Sequence, residues 1–378
     1  MKEASSRNRP LCLVLLLWPL LTSAAAVAAD EKQVDAAAKQ LLAANGFFQR
    51  QVYDLAAREY SAFLARYPKH KEATSARYGL AICRYRLSQY ADAVKEMVAV
   101  LKDRRFEQRD EALAVLGYCY LATEAHDKAL ATFDEILRKH PKSKHLEFAG
   151  VSRLQALYLL GKTRETADAA RAFVKTHPAS GHRATVAYYL ALSLSGLGEH
   201  AEVAALLTDL LKKHPNSPHV VDATLLLGQS LENQGKLDAA AEQYRRMIRI
   251  GPTPRHAEGH YSLGLVLYKA GKYGDSINEL TAVLTKFPAS QYAAPAKLQL
   301  GLAQLAAGKV PDARKTLSQV LKADAPRAVT ARYWLAQCDM AEKKYAPARA
   351  ALDALAKANP PPANLPAVLF DRAVCAAA

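Results

Sequence analysis

Along most of the chain apolar residues recur three and four positions apart, the spacing of one helix face. These stretches are broken alternately by a short glycine-containing turn and by a basic residue followed by proline. Proline lacks an amide hydrogen and crowds the turn before it, so it marks a helix end. Glycine tolerates the left-handed backbone that closes a helix. The pattern therefore predicts pairs of antiparallel helices. The prolines keep a fixed interval: Pro68, Pro141, Pro178, Pro215, Pro252, Pro288, Pro326 and Pro360. After a first gap of 73, with Arg105 standing midway where a proline would fall, the spacings are 37, 37, 37, 36, 38 and 34 residues. The expected organisation is all-α, a unit of 36–37 residues written about nine times over residues 31–363. Residues 364–378 then form the first helix of an incomplete tenth unit. Such units bury apolar surface chiefly against their neighbours.

The residues inside the unit resemble the tetratricopeptide repeat family. In the third unit Leu116, Gly117, Tyr120, Ala129, Phe133 and Pro141 stand at that family's spacing, and in the sixth Leu227, Gly228, Gly235, Ala240, Tyr244 and Pro252 do. The seventh has Leu263, Gly264, Gly271 and Tyr273, and the eighth Leu300, Gly301, Gly308 and Ala313. Small residues in both helices let the pair approach closely, and larger apolar residues fill the gap to the next unit. Leu154 departs from this by replacing a small residue, and Thr166, Val203 and Ser276 replace the alanine of three second helices. The longer unit, with phrases such as His140-Pro141-Lys142-Ser143, is similar to the subclass of bacterial envelope proteins that includes the Tol-Pal coordinator and the lipoprotein of the outer-membrane barrel assembly machine. The chain lacks the former's N-terminal heptads and the latter's lipidated cysteine.

The resemblance implies an α-α superhelix, a right-handed solenoid whose first helices line a concave groove for a peptide. Carrying over the register places Tyr78, Tyr85 and Arg86 on that face, then Tyr118, Tyr158 and Tyr188, then Tyr261, Tyr268 and Lys269, and finally Tyr333 with Gln337. Tyrosine offers a large rigid ring with a polar tip at small entropic cost, which suits a peptide-gripping surface. The same rings also serve simply to pack helix on helix. Arg86 and Lys269 favour an acidic segment or a chain-terminal carboxylate.

Two other ladders share the repeat period. His145, His182, His219 and His256 lie 37 residues apart. Adjacent units spaced about 10 Å apart cannot bring their imidazoles within about 2.1 Å of one zinc ion, so these histidines read as solvated loop residues repeated by duplication. Cys83, Cys119, Cys338 and Cys375 occupy one register position, where the family wants a small buried residue, and read as free thiols. Composition adds little except charge. Alanine supplies 74 residues, consistent with closely packed helices, and Lys plus Arg exceed Asp plus Glu by 51 to 36. Many of the cations follow second helices, where they complement the helix dipole, and no basic stripe with stacking groups points to nucleic acid. No phosphate loop, zinc-protease motif or nucleophile elbow is present. The expectation is a non-catalytic scaffold without cofactor that binds protein.

The N-terminus reads as an export signal over residues 1–28: Lys2, Arg7 and Arg9, an uncharged run over 11–29, and Ala26-Val27-Ala28 as a cleavage site. This implies the periplasm, or membrane anchoring through residues 11–29 if the segment stays uncleaved. Cys12 opens the apolar run and does not end it, unlike a lipidation cysteine. At the other end Val368, Leu369, Phe370 and Val374 lie among alanines, an apolar pattern for a terminal helix, which implies that the chain continues or that this helix docks on something.

Overall fold

The computed structural model describes residues 36–358 and 364–378; the expected export segment, Cys12 and Pro360 lie outside the described residues. Among the described residues every regular element is helical. They form two compact units that divide between Glu107 and Gln108. The first unit holds two helix pairs, α1 (Ala36–Gln49) with α2 (Tyr53–Arg66) and α3 (Ala73–Arg86) with α4 (Tyr90–Val100). The second holds α5 (Arg109–Ala122) with α6 (His126–Lys139), α7 (Leu146–Leu159) with α8 (Thr163–Thr176), and α9 (Arg183–Gly196) with α10 (His200–Lys213). It continues with α11 (Val220–Asn233) and α12 (Leu237–Ile250), α13 (Thr253–Lys269) and α14 (Tyr273–Lys286), and α15 (Ala293–Ala306) and α16 (Val310–Ala323). The pair α17 (Ala328–Ala341) and α18 (Tyr345–Ala356) and the helix α19 (Leu365–Ala377) complete it. The all-α helical repeat expected from the sequence is the observed fold.

The loop prolines act as anticipated. Helices α2, α6, α8, α10, α12 and α14 each end two residues before one, as at Lys139 before Pro141 and Thr176 before Pro178. The residue between them leaves helical geometry, as His140 does at φ −123° and ψ 57°, away from the helical region that a following proline disfavours. The serine of the Pro-x-Ser phrase then does two jobs. Ser143 Oγ accepts the His145 amide at 3.0 Å and donates to Asp110 of the preceding first helix at 2.6 Å. Ser180 repeats this with the His182 amide at 3.1 Å and Glu147 at 2.6 Å. Ser143 and Ser180 thus tie their loops to the hairpin before them, while Ser217 and Ser290 accept the following amide in the same way.

Inside each pair the helices approach through a small residue set opposite a large one. Gly228 of α11 faces Tyr244 of α12, Gly264 of α13 faces Leu280 of α14, and Gly301 of α15 faces Leu317 of α16. At each, a β-carbon would come within 2.6–2.8 Å of the neighbouring side chain. Leu154, the departure in α7, is matched by a second one: Ala170 of α8 holds the position that Tyr244 holds in α12, and both are buried in one cluster. The polar replacements are satisfied too. Buried Thr166 donates to the Lys162 carbonyl at 2.8 Å, and buried Ser276 donates across its hairpin to the Gly264 carbonyl at 2.7 Å.

Candidate functional site: the tyrosine face of the first helices

First helices recur once per repeat, so residues one repeat apart take equivalent places in successive hairpins, and the tyrosines can be read as a series. In the first unit Tyr78 of α3 is buried, 6% exposed, with its ring 5.0 Å from that of Phe106. Tyr85, near the end of the same helix, is half-buried, 6.3 Å from Tyr90, and the exposed Arg86 guanidinium lies 5.8 Å from its ring centre.

In the second unit Tyr118 of α5 is half-buried, and Tyr158 of α7 is 38% exposed. Tyr158 meets Tyr189 at 5.8 Å, and Tyr189 lies 6.2 Å from Tyr188, so Tyr189 links two of the expected residues. Tyr188 is covered from the next loop by His219, whose ring stacks on it at 4.6 Å and 14°. His219 Nε2 also lies 3.2 Å from Thr185 Oγ1. Burial pushes the Tyr188 phenol up and that of Tyr189 up to about 12. These rings are neutral contact surfaces.

Farther along, Tyr261 of α13 packs at 5.4 Å against Tyr292, a residue of the loop before α15. An ionic chain runs beside it. Arg255 bridges Asp222 and Glu258, each at 2.8 Å, and burial, with the nearby Glu258 carboxylate, pushes the Tyr292 phenol up to about 12. Tyr268 is half-buried against Tyr273 at 5.5 Å, and Lys269 is paired with Glu232 at 2.7 Å. Glu232 also accepts the Tyr244 hydroxyl at 2.8 Å, so this expected cation is already engaged. Tyr333 of α17 and Gln337 both donate to Asp371 of α19 at 2.7 Å. Burial, then that hydrogen bond, lifts the Tyr333 phenol to about 12.

The structure therefore brings Tyr158 and Tyr188 into one aromatic cluster and commits Lys269 and Tyr333 to acids of neighbouring repeats. Tyr189, Tyr292 and His219 belong to the same face and were not singled out from the sequence for it. Tyr189 adjoins Tyr188 in the chain, and Tyr292 follows the Pro-x-Ser phrase, which were the signals available. The histidine ladder departs from the solvated reading. His145 is buried, at 4% exposure, where its Nε2 has no hydrogen-bond partner among the described residues, and His182, His219 and His256 are half-buried. Burial pulls the His145 and His219 imidazoles below the usual value. Cys83, Cys119, Cys338 and Cys375 are free and buried, and burial pushes the Cys83 and Cys119 thiols up to about 12. Among the described residues no group of three or more His, Cys, Asp or Glu side chains is placed to hold a metal ion. No helix among them is long and apolar enough to cross a membrane.

The repeats match a described family, tetratricopeptide repeat, over residues 41–100, 78–144, 188–253 and 298–363, together more than half of the chain. No curated protein matches. Among solved structures, a tetratricopeptide repeat protein from Parabacteroides merdae is 13% identical, covering 71% of this chain and 98% of its own, with a TM-score of 0.49. MamA from Desulfovibrio magneticus is 16% identical over 46% of this chain and 93% of its own, with a TM-score of 0.41.

Proposed function

Because this chain belongs to the tetratricopeptide repeat family, we propose that it is an exported, non-catalytic scaffold that holds a segment of a partner protein on the tyrosine face of its first helices. The observation that carries this is the run of rings from Tyr158 through Tyr189 to Tyr188, with Tyr261, Tyr292 and Tyr268 following in later repeats. Their bodies are anchored by neighbours, so a ligand meeting them gains contact area without ordering flexible side chains. Lys269, the expected cation of the second unit, is already neutralised by Glu232. The basic excess of the chain as a whole supports weak attraction to acidic partners.

The proposed compartment is the periplasm, and the proposed task is the assembly or coordination of an envelope complex. The export reading rests on residues 1–28 and predicts that the secreted chain begins at Ala29, which mass determination of the exported protein checks. Retention of residues 11–29 on the mature protein would replace it with membrane anchoring.

Affinity capture from an envelope extract tests the tyrosine face. Tyr158→Ala combined with Tyr268→Ala should lose the captured partner while keeping the parent's helical signal and unfolding midpoint. An unchanged partner profile would remove the face from consideration. A second reading, docking through α19, is favoured by Phe370 at 70% exposure beside exposed Leu369 and Val374. Phe370→Ser should abolish capture under that reading and leave it intact under the first.

A further inference from the structure

Where α9 runs between α8 and α10 there is a cavity of about 520 Å³ that none of the expected groove residues lines. Its floor is aliphatic: Val174 of α8, Ala187 and Leu190 of α9, and Leu206 and Leu210 of α10. A smaller cavity of about 360 Å³ occurs between α14, α15 and α16 in the same register, with Leu284 and Val320 where the first has Val174 and Leu210. The stacking of hairpins thus generates this recess more than once, and the side chains decide what each copy can hold.

The rims differ in a way that selects a ligand. In the larger recess Arg171 is engaged by Glu202 at 3.1 Å and Glu199 at 3.7 Å, and Lys213 by Asp209 at 2.9 Å. Arg183 pairs with no carboxylate among the described residues; its guanidinium donates only to the Pro178 carbonyl. A guanidinium has five N–H donors in a planar fork, so most remain for an anion, and a carboxylate fits that fork with two parallel bonds. In the smaller recess Ala293 replaces Arg183, Lys297 replaces Ala187 on the floor, and Arg327 is closed on Asp324 at 2.8 Å.

We propose that the recess between α8, α9 and α10 binds a straight-chain alkyl carboxylate, its chain along the aliphatic floor and its carboxylate on Arg183. The volume falls within the ~300–1,000 Å³ typical of small-ligand sites. The five floor side chains offer no donor or acceptor. An extended peptide laid there would desolvate its amides without a return bond, whereas an alkyl chain carries none to satisfy.

Calorimetric titration of the 378-residue chain with hexanoate, octanoate and decanoate, below their micelle concentrations, tests the assignment. Affinity should rise about fourfold per added methylene until the cavity is filled. Arg183→Met, at an exposed position, should weaken decanoate about tenfold by removing the charged donors. Ala187→Trp should abolish binding by filling the floor, with the unfolding midpoint reporting that the chain remains folded. Decylamine, with the same chain and the opposite charge, should bind more weakly than decanoate. Absence of saturable decanoate binding, indifference to Arg183→Met, or equal affinity for decylamine overturns the proposal.

Discussion

Gly117 of α5 faces Phe133 of α6 so closely that a β-carbon at position 117 would stand 2.5 Å from Phe133 Cε1. The aromatic ring is fully buried. Gly117→Ala should therefore destabilise the second unit by about 1–3 kcal/mol, the usual effect of forcing extra volume into a packed core. Phe133→Leu in the same chain should recover part of the loss, because the shorter side chain withdraws from the added methyl. Urea unfolding followed by circular dichroism measures both, and an unshifted midpoint in the single variant would show that the helices can part at no cost.

The pair Leu154 and Ala170 reverses that arrangement, with the large residue on the first helix and the small one on the second. Leu154→Ala alone should cost about 2–5 kcal/mol through the cavity it leaves, and Ala170→Phe alone should overpack the same interface. Combining Leu154→Gly with Ala170→Phe restores the arrangement seen at Gly117 and Phe133. The double variant should be more stable than the sum of its parts by at least about 1 kcal/mol, the scale of coupling between residues in contact. Strict additivity in a double-mutant cycle would show that the two positions do not share a packing site.

Every helix pair turns through one residue of left-handed backbone at the same register. Five of these are glycines, such as Gly161 at φ 70° and Gly235 at φ 72°, and four are Gln51, Ser88, Glu124 and Lys343 at φ 58–61°. A side chain in this conformation costs about 1–2 kcal/mol, from which glycine's greater freedom in the unfolded chain subtracts part. Glu124→Gly should raise stability by about 0.5–1 kcal/mol, and Gly235→Ala should lower it by about 1 kcal/mol. The two opposite shifts, read as unfolding midpoints, check the assignment of this backbone state.

These turns also show where sequence reading stops. Glycine announced five of them, but at Glu124 or Lys343 the conformation is imposed by the packed helices on either side, and no local residue preference reveals it. The helix ends were legible because proline acts through its own ring, independent of context, and six observed termini, those of α2, α6, α8, α10, α12 and α14, fall two residues ahead of one. The tyrosine face was legible only as a register. Whether a given ring is open depends on a residue about thirty positions later: His219 covers Tyr188 and Tyr292 meets Tyr261, while Tyr158 remains the more exposed. Likewise the histidine ladder was visible as a period, but the period does not say which member is enclosed: His145 is buried while His182, His219 and His256 are half-buried, although the same serine turn precedes His182 and His219.

That burial makes stability depend on pH. His145 lies against Asp110, Glu111 and Lys144; desolvation outweighs the two acids and holds its imidazole below the ordinary 6.5. His219, stacked on Tyr188, is lowered for the same reason against the pull of Asp222. A histidine whose folded value is depressed takes up its proton more readily when unfolded, so the unfolded state binds more protons and stability rises with pH. The contribution is complete above the unfolded value and is lost as pH falls through about 6.5 toward the folded values. The carboxylates held low by their partners, such as Asp110, retain their contribution over that range and begin to lose it only in more acid solution. The urea midpoint should therefore fall between about pH 7.5 and about pH 5.5, and His145→Gln with His219→Gln should flatten that fall. An equal decline in the double variant would assign the acid sensitivity to groups other than these two imidazoles.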